Sequence, residues 1–428
     1  MKLRQRIVSE AFQTRHRMTA ESFTRERKIG FVVMLLSILR KSVKSLQNVL
    51  NEISLELNLA LVTASAYSQR RAQLNYSAFI ELNRELIIPF SVAQGPRTYK
   101  GLRILAGDGS KIRLPEHATI RERFGAIATC SGQDATVTGD YPCGQAYVLY
   151  DVLNKIVIEA QLAPASAYEV ELAIQSLAST TVNDLLLYDR NFASYRFVAT
   201  LTQRQQPFVI RCSAGSFAVV QALFAANQET SQIATLAVPA AHKKECRQVG
   251  YPPSITVRFV AVRLSTGELE VLVTSLLDAE YFLAADFKSI YNLRWGVETL
   301  FDVIKNRLAL ENFSGKTAHA VLQDFHATIF ITGLESLLTQ EADQQLDQRT
   351  QANKLGQTVN NMVSFHAIKA QVFQLLYSNA DPERLLNQLT DLFLLNPTLT
   401  RRMRDVPRRK TKLNAALHYH KRRRKLCF

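Results

Sequence analysis

Cysteine is scarce in this 428-residue chain, and its few copies are scattered. Their number is odd and no two of them form a CxxC pair. This pattern argues against a disulfide framework and against a cysteine-ligated zinc site, and it predicts a reducing, cytoplasmic setting. The five cysteines are Cys130, Cys143, Cys212, Cys246 and Cys427.

Long apolar runs are also missing. The segment FVVMLLSIL (31–39) is too short to span a bilayer, and no apolar stretch follows the basic residues of the N-terminal MKLRQRIVSEAF. We therefore expect no membrane span and no secretory signal. The apolar fraction of 47% is that of a globular protein, and the length allows about two or three domains.

Acidic residues are outnumbered, because 37 Asp and Glu face 52 Lys and Arg, for a net charge of +15. A chain this basic usually meets a polyanion. Residues 401–428 alone carry twelve Lys or Arg and one Asp. This basic tail fits a solvated, disordered segment as well as a nucleic-acid contact, and it has no long apolar face to insert into a membrane.

Residues 1–95 are predicted to form a helical N-terminal domain. Apolar residues recur at three and four positions in IGFVVMLLSILRKSVKSLQNVLNEISLEL and again in NYSAFIELNRELII. Between them lies the polar, arginine-containing TASAYSQRRAQL. Short helices with an arginine-bearing turn suit a DNA-binding domain, although a plain helical bundle has the same pattern.

From about residue 96 to residue 335 the pattern predicts an α/β domain. RILAGDGSKIRL predicts a strand, a turn and a strand, and QAYVLYDVL and KIVIEAQLA predict two strands joined at Asn154. AYEVELAIQSLA predicts a helix and DLLLYDRNF a short buried strand. Within this domain, residues 205–285 resemble a β-rich insertion. Residues 336–428 are predicted to be a helical region that ends in the basic tail.

Two aspartates follow predicted strands. Asp108 stands in AGDGS and Asp189 directly follows LLLY. Ligands of α/β sheets bind at the C-terminal ends of the strands, so both residues are candidates for a site. Each also has a structural explanation, because Asp-Gly is a common turn pair and Asp189 could cap the next segment.

The stretch YNLRWGVETLFDVIK (291–305) is predicted to be helical, with four polar residues on one narrow stripe. A solvated polar face would explain the stripe, but it leaves Tyr291 and Trp295 without a reason to face water. Asp302 lies only about 40° from Glu298 on a helix, so helical geometry leaves both acids open. The four residues of the stripe are Tyr291, Arg294, Glu298 and Lys305.

These residue types suit phosphoryl chemistry. Three carboxylates from separate segments are what a two-metal site needs, and Mg²⁺ prefers oxygen ligands and keeps several waters. An arginine can hold a phosphate by a bidentate contact and a lysine can hold it as a point charge. The pattern therefore predicts a metal-dependent site that also grips phosphate.

The motifs resemble those of the DDE transposases of bacterial insertion sequences, of the insertion-sequence-four family. That family carries Tyr, two residues, Arg, three residues, Glu, six residues and Lys, and the four residues of the stripe match every spacing. Asp108-Gly109-Ser110 and Asp189-Arg190 match the family's two aspartate motifs. The similarity extends from about residue 20 to residue 335.

The resemblance implies an RNase H-like core, a mixed sheet with helices that the β-rich insertion interrupts. It implies that the metal ligands are Asp108, Asp189 and Glu298, with Asp302 left solvated or in a supporting place. The ion would be Mg²⁺, with Mn²⁺ as a substitute. The residues that would contact DNA phosphate are Tyr291, Arg294, Lys305, Arg190 and Trp295.

The resemblance also implies the partners and the reaction. The protein would act in the bacterial cytoplasm at the nucleoid, as a homodimer on double-stranded DNA. It would cut the inverted-repeat ends of its element and join the 3′-OH to target DNA. Two alternatives stay open: another RNase H-like nuclease, which needs no joining activity, and a non-catalytic DNA-binding regulator derived from a transposase. Inverted repeats flanking the gene would favour the mobile element.

Overall fold

The computed structural model describes residues 2–25, 27–131, 136–240, 243–378 and 380–401. Past Arg401, the predicted basic tail lies outside these residues. Up to residue 95 the described chain is mainly helical, as its periodicity predicts. Its helices are α1 (Lys2–Val8), α2 (Glu10–Arg15), α3 (Phe31–Leu39), α4 (Leu46–Glu56), α5 (Ala64–Arg71), α6 (Ser77–Leu82), a π-helical turn (Asn83–Ile87) and α7 (Ile88–Ala93).

Side-chain caps at the N-terminal ends and burial of apolar residues stabilise these short helices. Ser45 and Thr63 accept the free N–H groups at the starts of α4 and α5. Every residue of α3 is buried, as expected of a helix that is apolar all round. The N-terminal helices therefore pack into the interior and share one apolar core with the sheet described next.

The central layer is a mixed β-sheet, which confirms the predicted α/β class. The strands are β1 (Arg103–Arg113), β2 (Ala126–Ser131), β3 (Thr136–Asp151), β4 (Ile156–Pro164), β5 (Asp184–Tyr188), β6 (Phe208–Cys212), β7 (Thr230–Ala237), β8 (Ser254–Arg263) and β9 (Leu269–Thr274). Their order is β2-β3-β1-β5-β6-β9-β8-β7, with β4 paired to β3. Strands β1, β5 and β6 are parallel to one another, whereas β3 is antiparallel to both β1 and β4.

Helices cover both faces of this sheet. Alternate residues of β1 point to opposite faces: Leu105 joins the core shared with the N-terminal helices, and Ile104 and Ala106 join a second core on the other face. The helices that follow the strands are α8 (Ala118–Phe124), α9 (Glu169–Ser176), α10 (Tyr195–Gln203), α11 (Ala218–Ala226) and α12 (Lys243–Val249).

One predicted turn is wrong. The structure runs β1 straight through Asp108 and Gly109 as a single strand, where the sequence predicted a turn between two strands. The glycines of this strand allow other side chains to pack closely against its backbone. A Cβ added at Gly107 would lie 2.2 Å from Tyr188 Cε1. A Cβ at Gly109 would lie 2.5 Å from Glu169 Oε1. Glycine inside a strand often marks such a close approach.

The β-rich segment at 205–285 extends the main sheet. Its strands β6 to β9 continue the sheet beyond β5, with β9 antiparallel to β6. The turn predicted at 265–267 joins β8 and β9, and Gly267 there has a φ of 82°. The segment also contains α11 and α12, two helices that were not predicted.

The stretch 291–305 is not the single regular helix that was predicted. It consists of the end of α13 (Asp286–Asn292), α14 (Trp295–Asp302) and a π-helical turn (Val303–Arg307). Between α13 and α14 the backbone tightens, because the amide of Arg294 donates to the carbonyl of Tyr291. The tightening and the π turn alter the azimuths that a regular helix would give.

The longest helix of the described residues is α15 (Ala318–Arg349), with 32 residues. It packs against α3, α6 and β4, and the predicted boundary at 335/336 falls inside it. The remaining elements are β10 (Leu355–Val359), α16 (Asn361–Ala370), α17 (Val372–Leu376), α18 (Pro382–Leu395) and β11 (Pro397–Arg401). Among the described residues, no helix is both long and apolar enough to cross a membrane.

Candidate active site

The parallel pairing of β1 and β5 brings Asp108 and Asp189 to one edge of the sheet. Ala106 pairs with Leu187, so Asp108 and Asp189 come level two residues further along. Asp189 directly follows β5, and its side chain also accepts from the amide of Asn191 at 2.9 Å. The expected helix-capping role and the expected place at the sheet edge therefore coexist.

Asp108 is a mostly buried carboxylate. One of its oxygens accepts the amide of Gly109 at 2.8 Å. Burial raises the pKa of Asp108 to about 7, and the nearby charges of Asp189 and Glu169 add to the rise, while the Gly109 amide and Arg294 oppose it. The Gly109 amide and Arg294 therefore do not fully compensate the negative charge of the Asp108 carboxylate.

Arg294 connects Asp108 to the acid of α14. Its Nη2 donates to Glu298 Oε1 at 2.5 Å, and its Nη1 lies 3.8 Å from Asp108 Oδ2. The Arg294 side chain is 5% exposed. Its guanidinium lies 4.9 Å from the ring centroid of Trp295 and 5.8 Å from that of Tyr291. One buried cation therefore contacts two carboxylates and two aromatic rings.

Two polar atoms here have no hydrogen-bond partner among the residues that the structure describes. They are the hydroxyl of Tyr291 and the Nε of Arg294, both buried. Tyr291 thus points into the protein, not along a solvated stripe, and burial raises its pKa strongly. Buried polar groups nearly always have partners, so orphaned ones often mark a functional place.

Lys305 lies in the π-helical turn and reaches back to β1. Its ammonium donates to Ser110 Oγ and to the carbonyl of Lys111, both at 2.7 Å. Burial lowers its pKa. Lys305 is therefore bonded to a residue of β1, Ser110, that is two positions after Asp108. π-Helical turns are frequent at functional sites.

Three candidates are exposed at the rim of this group. Asp302 is exposed and accepts from Asn306 Nδ2 at 2.6 Å, so it does not orient Lys305 by a direct bond. Arg190 is exposed next to Asp189. Trp295 is 40% exposed and stacks on Arg294. The structure thus gathers Asp108, Asp189 and the residues of the stripe, and leaves these three at the rim.

Comparison with known proteins identifies the family of this domain. The family model described as "Transposase DDE domain" matches residues 99–334, more than half of the chain. The chain belongs to the transposase DDE domain family. Its DDE domain contains all three candidate carboxylates and all of the residues of the stripe.

The chain is also similar to a curated protein and to a solved structure. "Putative transposase InsZ" of Escherichia coli (strain K12) is 25% identical over 194 residues, which are 44% of this chain and 62% of that relative's length. A cryo-EM structure of the piggyBac transposase synaptic complex with hairpin DNA aligns with a TM-score of 0.44 at 11% identity. That alignment covers 92% of this chain and 83% of that one.

The sequence analysis missed two charged features of the DDE domain. Glu169, in the first turn of α9, accepts from Gln145 at 2.8 Å, and its charge raises the pKa of Asp108. Arg211 and Glu270 pair at 3.0 Å on β6 and β9. The available signal was an arginine inside the apolar run FVIRC. Tyr188 pairs with Ile210, so Arg211 comes level with Asp189.

The donor chemistry of this site fits a divalent metal, because carboxylate oxygens are the ligands that hard cations prefer. Burial raises the pKa of Asp108, so a bound cation there would favour its charged form, and the Tyr291 hydroxyl has no hydrogen-bond partner among the described residues. Among the described residues, however, no three His, Cys, Asp or Glu side chains are grouped as a metal site. Arg294 contacts both Asp108 and Glu298.

Proposed function

We propose that this DDE transposase belongs to the insertion-sequence-four family and moves its own element. It would bind the inverted-repeat ends, cut them by metal-dependent hydrolysis and join the freed 3′-OH to target DNA by transesterification. The observation that carries the proposal is the position of Arg294, which lies 3.8 Å from Asp108 and is bonded to Glu298. In support, Lys305 is bonded to Ser110 on β1, and the Arg294 guanidinium lies 5.8 Å from the ring centroid of Tyr291. The tyrosine, arginine, glutamate and lysine have the family's spacing.

The carboxylates of Asp108, Asp189 and Glu298 would hold the divalent ions, Mg²⁺ or Mn²⁺. Bound there, such ions would activate the attacking oxygen and stabilise the leaving one. The basic side chains serve the other reactant. Lys305 is held by Ser110 with its ammonium beside β1, and a point charge in that place would attract the phosphate next to the bond that breaks.

Four further residues would contact the DNA backbone near the reacting phosphate. Arg294 can present a planar fork to phosphate oxygens, and the buried hydroxyl of Tyr291 would gain its missing partner from one of them. Arg190 is exposed beside Asp189, so it can reach a flanking phosphate. Trp295, 40% exposed, offers an apolar ring to a base or sugar.

The N-terminal helical region, including the connection between α2 and α3, would supply the contact with double-stranded DNA. Arg17, Arg27 and Arg70 lie close enough for the first two to lower the pKa of Arg70, after the effect of its burial. The Arg70 guanidinium lies 4.0 Å from the centroid of Phe23 and donates to the carbonyl of Ile29. We call Arg17, Arg27 and Arg70 the arginine cluster. Like charges held together suit a polyanion such as the DNA backbone.

An end-cleavage and joining assay tests this function. The protein is incubated with Mg²⁺ and a labelled duplex that carries the inverted repeat flanking its gene. We expect cleavage at the repeat end and joined products with a second duplex. Cleavage without joining, on repeat and unrelated DNA alike, would support a different nuclease. Repeat binding without any cleavage would support a non-catalytic regulator. A homodimer predicts that two repeat ends are held in one complex.

A further inference from the structure

We propose that Arg294 serves two partners in turn: it bridges Asp108 and Glu298 in the metal-free protein, and it must leave them before a divalent ion can bind there. The released guanidinium is then free for a DNA phosphate. The proposal rests on the proposed function, because it takes a metal-dependent site as given. It concerns the order of binding at this site. The Arg294 guanidinium first neutralises the carboxylates of Asp108 and Glu298, and it binds a DNA phosphate afterwards.

The geometry of Arg294 is that of a substitute cation. Its two terminal nitrogens approach carboxylates from separate elements, Glu298 on α14 at 2.5 Å and Asp108 on β1 at 3.8 Å. A cation between two carboxylates relieves their mutual repulsion whether it is a metal ion or a guanidinium. The same carboxylates therefore cannot be fully engaged by both cations at once.

The contacts that hold Arg294 in this place are weak enough to exchange. Its Nε has no partner among the described residues. The Glu298 side chain is 41% exposed, so solvent screens that ion pair. The contacts of Arg294 with the rings of Trp295 and Tyr291 include no hydrogen bond that its departure would break. Arg294 can thus depart without breaking the packing of the sheet.

The chain contains its own reporter for this exchange. Trp295 is its only tryptophan, and the Arg294 guanidinium lies 4.9 Å from the ring centroid. Departure of the guanidinium changes the charge over that ring, so it should change the tryptophan emission. The reporter lies on the same helix as Glu298 and needs no label.

The experiment titrates the full-length protein with MgCl2 at constant ionic strength, without DNA, and records tryptophan emission and the thermal midpoint. All titrations are run at one fixed pH. Arg294→Gln and Arg294→Met remove the charge while keeping much of the volume. Arg190→Gln is the matched control, because it removes an equal charge beside Asp189 without touching the Asp108–Glu298 bridge.

We expect wild-type emission to change in a saturable way with Mg²⁺. In the Arg294 variants the Mg²⁺ Kd should fall about tenfold, as expected when a competing charged hydrogen bond is removed, and the emission change should be lost. A general charge effect would tighten binding equally in Arg190→Gln. A variant damaged in its structure would bind Mg²⁺ more weakly than wild type, not more tightly.

The exchange is overturned if the Arg294 variants bind Mg²⁺ no more tightly than Arg190→Gln does. In that case the end-cleavage assay still decides the proposed function by itself. If neither wild type nor any variant gains thermal stability with Mg²⁺, the exchange and the metal site on these residues fall together. If only the Arg294 variants bind Mg²⁺ without DNA, competition by Arg294 is supported in its strongest form.

Discussion

Arg71 of α5 and Asp324 of α15 form a buried ion pair, with 2.8 Å between Nη2 and Oδ1 and side chains that are 4% and 0% exposed. The amide and hydroxyl of Ser314 donate to the same carboxylate. Gln323 accepts from the Nε of Arg71. This network links the N-terminal helices to α15, so we expect the N-terminal region and the DDE domain to unfold together.

Asp324→Ala should lower the free energy of unfolding by about 3–5 kcal/mol, because it leaves the Arg71 guanidinium buried without its partner. Urea titration followed by circular dichroism measures the change. The exposed pair Lys44–Glu52 is the control, with side chains 52% and 41% exposed. Glu52→Ala should cost less than about 1 kcal/mol. Equal losses in the two variants would contradict the role of the buried pair.

Glu335 of α15 predicts a pH dependence of stability. It is buried, its pKa is raised by that burial to about 7, and Ser364 donates to it at 2.5 Å. An unfolded glutamate titrates near 4.3, so the stability from burying the neutral acid is full below that pH. That stability is lost progressively as the pH rises through about 7, and the loss is on the order of 3 kcal/mol.

Glu335→Gln should therefore become more stable relative to wild type as the pH is raised from 4.5 to 7.5. Urea midpoints at several pH values measure this difference. Glu341→Gln, at an exposed position of the same helix, should follow wild type at every pH. A constant difference between Glu335→Gln and wild type across this range would show that Glu335 does not titrate with folding.

The sequence could predict those parts of the site that depend on local pattern. Asp189 follows a continuous apolar run, and such a run predicts a buried strand with its next residue at the sheet edge. Helical periodicity predicts one core face of Leu293, Val297, Leu300 and Ile304. The last three are buried, and Leu293 is partly buried. These features can be predicted without knowing which distant segments of the chain are in contact.

Features set by distant neighbours could not be predicted. Gly107 is a glycine because Tyr188 and Tyr147 lie against it, and neither is near it in the chain. The tightening of the backbone at Arg294 and the π-helical turn at Val303–Arg307 interrupt the helix that carries the stripe, and the residue pattern does not record either irregularity. The charge of Glu169 reaches Asp108 only once α9 packs on the sheet.

The two glycines of β1 should respond differently to alanine. Gly107→Ala places a Cβ 2.2 Å from Tyr188 Cε1, against two buried tyrosine rings, and should cost about 1–3 kcal/mol or more. At Gly109 the nearest atoms are the ends of the Gln145 and Glu169 side chains, which can turn aside. Urea unfolding measures both, with Gly215→Ala as the control in open space. Equal costs at Gly107 and Gly215 would contradict the packing argument.

The arginine cluster predicts a salt dependence of DNA binding. Arg17→Ala combined with Arg27→Ala should weaken binding to repeat and unrelated duplexes alike. Each lost phosphate contact should reduce the slope of log K against log salt by about one. Fluorescence anisotropy between low and moderate NaCl measures the slope. Lys44→Ala, whose charge is paired with Glu52, should leave it unchanged. An unchanged slope in the double variant would place the DNA contact elsewhere.

The last prediction separates the two acids of α14, which regular helical geometry left open. Glu298 is bonded to Arg294, which also approaches Asp108, whereas Asp302 is exposed and bonded to Asn306. Glu298→Gln keeps the shape and loses the charge, so it should stop end cleavage while repeat binding survives. Asp302→Asn should keep most of the activity. Both variants are measured with Mg²⁺ and with Mn²⁺. An inactive Asp302→Asn beside a normal Glu298→Gln would move the third metal ligand one turn along the helix, away from the residue that Arg294 contacts.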